Sequence, residues 1–145
     1  ILKIAGDGEL KNELVKLSEE LKINTDVIFT GMLNEQDLIT FLQSLDVYIH
    51  ASLGETMSTA IMQAMACGLP VIASDVSGIN NMLAAGATGI LVLPKNDLLL
   101  ADAIINCISN STLRQSLSQK AYAYALTNFS NQAMFKAYYN KVFMC

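Results

Sequence analysis

Apolar residues fall along this chain in two alternating rhythms, and the alternation predicts the architecture. Residues 1–5 form a short β-prone run closed by the turn Gly6-Asp7-Gly8. From Glu9 to Leu21 the period changes: Leu10, Leu14, Leu17 and Leu21 recur at helical spacing among charges, which predicts an amphipathic surface helix. Residues 27–30 are the next strand, ending at Gly31. Asn34 then caps a helix with Asp37 at the capping-box position and Leu38, Phe41, Leu42 and Leu45 as its buried stripe. Strands follow at 46–50, 71–73 and 90–93. The segment 58–67 between the first two of these is apolar on almost every side, predicting a helix packed between other elements. Gly68 ends it and Pro70 prevents its continuation. A short helix is expected at 80–84, and the remainder reads as helices at 97–109, 112–126 and 131–142.

Five short strands interleaved with helices, most of them continuous apolar runs, predict an α/β fold: a doubly wound parallel sheet with helices on both faces. Ligands in such sheets sit beyond the carboxyl ends of the strands, so loops 6–8, 31–33, 51–58 and 74–78 are expected on one rim. The 145 residues suit a single domain, 1–145. The chain opens inside a strand without methionine, and the expectation is an N-terminally truncated excerpt.

Composition narrows the class. With 52% hydrophobic residues the chain is too apolar for disorder, yet no apolar run approaches the roughly 18 residues of a membrane helix. A net charge of −4 argues against a binder that relies on neutralising nucleic-acid phosphates. All 13 acids lie within residues 1–102, whereas Arg114, Lys120, Lys136 and Lys141 lie beyond them; this basic stretch reads as solvated helix faces. Cys67, Cys107 and Cys145 show no metal-ligand spacing, so no metal site is expected and a reducing, cytoplasmic compartment fits.

Loop 51–59 holds the candidate chemistry. Gly54 gives backbone freedom, Glu55 supplies a lone carboxylate, and Ser58-Thr59 open the apolar helix. A helix N-terminus presents unpaired N–H groups and a positive dipole end to a phosphate, and a carboxylate beside it can accept from sugar hydroxyls. On the local pattern alone, Ser58 reads as an ordinary N-cap and Glu55 as solvated. Gln63 is the one amide in a helix expected to be buried, where an unpaired amide costs about 1–3 kcal/mol. A neighbouring backbone and a ligand's diol would satisfy it equally well.

Glu55, seven residues, Gln63, and the run Ala64-Met65-Ala66-Cys67-Gly68-Leu69-Pro70-Val71-Ile72-Ala73-Ser74-Asp75 resemble the signature of glycosyltransferase family 4, retaining enzymes of the two-Rossmann GT-B fold. Ile4-Ala5-Gly6-Asp7-Gly8, Val27-Ile28-Phe29-Thr30-Gly31, Gly89-Ile90-Leu91-Val92-Leu93-Pro94 and Phe129-Ser130 match further family landmarks in order, so the resemblance runs the length of the chain. It implies that Met32 and Leu33 lie against the nucleotide base and that Glu55 contacts donor-sugar hydroxyls near the reacting carbon. It gives the backbone amides of Met57, Ser58 and Thr59 to the sugar and diphosphate. Gln63 stands where most members carry a second glutamate on the ribose diol, and Asn81 where many carry another acid. The family's Arg and Lys for the leaving diphosphate, and the N-terminal domain with its acceptor site and histidine, do not precede Ile1. His50 matches no family catalytic histidine and reads as a satisfied structural residue.

The resemblance therefore implies the donor-binding C-terminal domain of a retaining, metal-independent, cytoplasmic glycosyltransferase. Its substrate would be a UDP- or GDP-linked sugar, with no separate cofactor, and its partner the N-terminal domain of the same polypeptide. Peripheral membrane association of the whole enzyme stays open. The fragment alone is expected to be inactive, since two cations that stabilise the leaving diphosphate are missing. The alternatives are a non-catalytic nucleotide-sugar-binding or partner-docking module and, less compatible with the spacing around Glu55, a nucleotide-sugar epimerase.

Overall fold

Strand pairing follows the apolar runs. The computed structural model describes residues 1–143; Cys145 lies outside them. Two compact units emerge, one spanning Ile1–Phe41 and the other beginning at Leu42. In the first, β1 (Leu2–Ala5) pairs parallel with β2 (Val27–Gly31), Leu2 opposite Val27 and Ile4 opposite Phe29, with an irregularity that sets Ala5 against Gly31. α1 (Lys11–Glu20) connects them. Its expected stripe, Leu10, Leu14, Leu17 and Leu21, stays 42–62% exposed, because a two-stranded sheet offers little cover. α2 (Glu35–Gln43) starts as predicted: Asn34 Oδ1 accepts the Asp37 N–H at 2.9 Å, and Asp37 Oδ2 accepts from Asn34 Nδ2 at 2.6 Å. Of its expected stripe only Leu42 is fully buried, while Leu38, Phe41 and Leu45 are half-buried.

The second unit holds β3 (Tyr48–His50), β4 (Val71–Ser74) and β5 (Ile90–Val92), parallel in the order β3-β4-β5. β4 is central and buried at all four positions. α3 (Thr59–Ala66), α4 (Ser77–Met82), α5 (Asp97–Ser109), α6 (Ser111–Asn128) and α7 (Asn131–Phe143) complete it. The result is an α/β fold of parallel strands with helices on both faces. Ile61 and Met65 of α3, Val71 and Ile72 of β4, Ile79, Leu83 and Cys107 are fully buried. Asn96 and Asn110 cap α5 and α6 through the N–H groups of Leu99 and Leu113. Arg114 Nη1 donates to the Cys107 and Ile108 carbonyls, satisfying the last turn of α5.

Helix α3 corrects one expectation. It packs against α6, and Ser118 Oγ donates to the Gly68 carbonyl at 2.6 Å, but Thr59, Gln63 and Ala66 are exposed on its other face. It is therefore covered on one side only. Parallel pairing places the ends of β3, β4 and β5 on one edge of their sheet, so loops 51–58 and 74–78 share that edge. Loops 6–8 and 31–33 do the same in the first unit, where the Gly6 N–H donates to the Gly31 carbonyl.

Candidate functional site

Glu55 sits on the loop between β3 and α3, and two neighbours, Gly78 and His50, hold it there. The loop folds tightly at Ser52, whose hydroxyl donates to the Gly54 carbonyl at 3.2 Å. The Glu55 and Thr56 carbonyls then lie so close to Gly78, at the start of α4, that a Cβ there would fall 2.0 Å and 2.6 Å from their oxygens. Only glycine admits this approach. The Glu55 carboxylate turns toward the end of β3, where Oε2 lies 3.2 Å from His50 Nε2. Nδ1 of the same ring is 3.3 Å from the Tyr48 hydroxyl, and the two rings stack at 6.1 Å. Burial, with the Glu55 charge adding to it, pushes the Tyr48 phenol above its ordinary value, so it stays protonated and able to donate.

Immediately after Glu55 the chain enters α3. Ser58, in extended conformation and buried, accepts the Ile61 N–H on its hydroxyl at 3.4 Å. It is a true N-cap. Its own N–H points at Met82 Sδ, 3.2 Å away, so this amide is engaged within the protein. The amides of Thr59 and Ala60 have no carbonyl inside the helix to meet, and Met57 and Thr59 are exposed. The outward donors of this helix end are therefore the amides just past the cap. At the other end a Schellman closure finishes the helix: Gly68, at φ +75°, donates to the Met65 carbonyl and Leu69 to that of Ala64.

The second unit thus gathers Glu55, Met57, Ser58 and Thr59 at one helix entrance. Gln63 lies one turn further along the same exposed face as Thr59. Being exposed, it has no need of a protein partner, which removes the burial argument for it: α3 leaves that face open. Met32, 77% exposed, and half-buried Leu33 follow Gly31 in the first unit. A hollow of about 370 Å3 opens beside the loop, lined by Ala51, Leu53, Ser74, Leu93, Lys95 and neighbours, though not by Glu55 itself. Two residues that hold the site, His50 and Gly78, lie outside the set the sequence predicts. The signal for His50 was a strand-end imidazole five residues before the only carboxylate of the loop. Among the described residues no group of three or more His, Cys, Asp or Glu converges, and no helix is long and apolar enough to cross a membrane.

A carboxylate and a free helix entrance, side by side at the carboxyl edge of a parallel sheet, suit a ligand carrying both hydroxyls and phosphate. The family model for group 1 glycosyl transferases matches residues 1–124. The chain belongs to that family. It is 31% identical over 144 residues to an uncharacterized glycosyltransferase of Methanocaldococcus jannaschii, covering 99% of this chain and 36% of the relative. It is 32% identical over 133 residues to the alpha-monoglucosyldiacylglycerol synthase of Streptococcus pneumoniae, covering 90% of this chain and 30% of that protein. The chain thus spans about a third of the length of these curated relatives. Among solved structures, an Anabaena protein in complex with UDP-glucose superposes with a TM-score of 0.83 at 27% identity, over 94% of this chain and 40% of that one. The C-terminal domain of a group 1 glycosyl transferase from Francisella tularensis gives 0.77 at 26%, over 86% and 64%.

Proposed function

We propose that this chain is the donor-binding portion of a retaining glycosyltransferase that moves a sugar from a nucleoside diphosphate to an acceptor. The observation that carries the reading is the placement of Glu55: a half-exposed carboxylate, fixed on both sides, directly before the open N-terminus of α3. Its unpaired oxygen accepts hydroxyls of the donor sugar. The Thr59 and Ala60 amides, with the positive end of α3 behind them, meet the diphosphate. This favours the charge that grows on the leaving group, without calling on a metal ion. Gln63, on the same face as Thr59, takes the ribose diol as an uncharged partner and holds it less tightly than a carboxylate would. The Anabaena structure with UDP-glucose supports a uridine-linked donor, with a GDP-linked one as the alternative. The reaction belongs to the full-length, cytoplasmic polypeptide, and the isolated chain is inactive.

Calorimetric titration of the full-length protein with UDP, GDP and their sugar conjugates, run beside an assay for sugar transfer and donor hydrolysis, tests this. The expected result is micromolar-range binding of one nucleotide-sugar class together with turnover. Binding without turnover would leave a non-catalytic nucleotide-sugar module, and absence of both would remove the reading.

A further inference from the structure

A loop carboxylate contacts a sugar productively only when something keeps it aimed. We propose that His50 is a positioning residue for Glu55, acting as the middle member of a relay in which the Tyr48 hydroxyl donates to Nδ1 and Nε2–H donates to Glu55 Oε2. The proposal rests on the donor-sugar reading of Glu55 and adds a residue to it.

With the imidazole neutral, the chemistry of the three groups assigns the proton positions. An ionised carboxylate only accepts, so the nitrogen facing it, His50 Nε2, must carry a hydrogen. In the neutral ring Nδ1 then has a lone pair and needs a donor, which the protonated Tyr48 phenol supplies at 3.3 Å. Every member is satisfied with the ring uncharged. In this neutral form the imidazole orients Glu55 without cancelling its negative charge. It occupies Oε2 and leaves Oε1 for a ligand hydroxyl.

The surroundings make the ring a rigid support. His50 is the last residue of β3, in register with Ala73 of the fully buried β4, so its backbone is held by the sheet. Its ring lies nearly parallel to that of Tyr48, at 25°, and only 19% of its side chain is exposed, against 28% for Glu55. A glutamate on a loop otherwise samples several rotamers, and misplacing a reacting group by about 1 Å can cost on the order of a hundredfold in rate.

The test is a double-mutant cycle in the full-length protein, with His50→Leu, His50→Gln and Glu55→Ala read by single-turnover sugar transfer, KM for donor, and UDP affinity. His50→Leu is expected to lower the transfer rate about tenfold or more while UDP affinity stays within about twofold, because the nucleotide does not touch the relay. His50→Gln, whose amide nitrogen reaches the same acceptor, should recover most of the rate. In the Glu55→Ala background His50→Leu should have no further effect, since a positioning residue acts only through the group it positions. An unchanged rate in His50→Leu, or an equal loss with and without Glu55, overturns the proposal. If His50→Leu does not fold, Tyr48→Phe replaces it: a rate loss of about threefold that vanishes in the Glu55→Ala background supports the relay, and no loss overturns it. Normal turnover by Glu55→Ala itself removes the donor-sugar reading and this proposal together. A crippled Glu55→Ala beside a normal His50→Leu removes this proposal alone.

Discussion

Glu55 owes its position to two neighbours of opposite kinds, one a missing side chain and the other an imidazole. Gly78 lets the Glu55 and Thr56 carbonyls settle onto the start of α4, where an alanine methyl would overlap both oxygens. Gly78→Ala is therefore expected to lose about 1–3 kcal/mol of stability by urea unfolding and to reduce turnover by displacing the loop. A variant as stable and active as the parent would show that the loop is not seated there. Titration of two groups, half-buried Tyr48 beside Glu55 and Cys107 in the core, has a definite sign. Burial raises both the Tyr48 phenol and the Cys107 thiol above their ordinary values of 10.0 and 9.0. Above pH 9 the unfolded chain therefore loses protons before the folded one does, and stability falls as pH rises. Thermal unfolding midpoints should drop from about pH 9 upward, and Tyr48→Phe should flatten the part of that slope above pH 10.

At the scale of elements, α3 joins the core to the site. Its inner face, Ile61, Ala64 and Met65, is fully buried, and its entrance is set by the Ser58 cap. Ser58→Ala leaves the Ile61 N–H without its acceptor and is expected to cost about 0.5–2 kcal/mol, measured by chemical denaturation. A cost near zero would mean that the entrance is held by packing alone. Most elements were legible because the apolar period switches cleanly: all five strands, the pairing direction, and α5 at 97–109 follow from it. The errors have local causes. β3 begins at Tyr48 instead of 46 because the ladder opens with the Tyr48 N–H on the Pro70 carbonyl, a register that apolar pattern alone does not fix. α4 starts at Ser77 instead of 80 because its N-cap, Val76, makes no side-chain bond and so leaves no signal. Gln63 looked buried because alanines at 60, 64 and 66 fit an open or a closed face equally well. The His50–Glu55 pair is joined by the path of loop 51–54, which neither strand nor helix periodicity describes.

For the whole molecule, the family assignment and the fold agree with the carboxyl-edge position of the loop, and the chain spans about a third of the length of the curated relatives it matches. Leu10, Leu14, Leu17 and Leu21 stand exposed along α1, consistent with a helix whose apolar side is not covered by the two strands of its own unit. The central claim is that Glu55 meets the donor sugar at the entrance of α3. Its most direct test is the rate of sugar transfer by the full-length protein carrying Glu55→Ala, measured at saturating donor with folding verified by circular dichroism. Loss of one accepted, charge-assisted contact at the reacting sugar predicts a drop of about a hundredfold or more in kcat with the fold intact. A folded variant that turns over within a few-fold of the parent would contradict it.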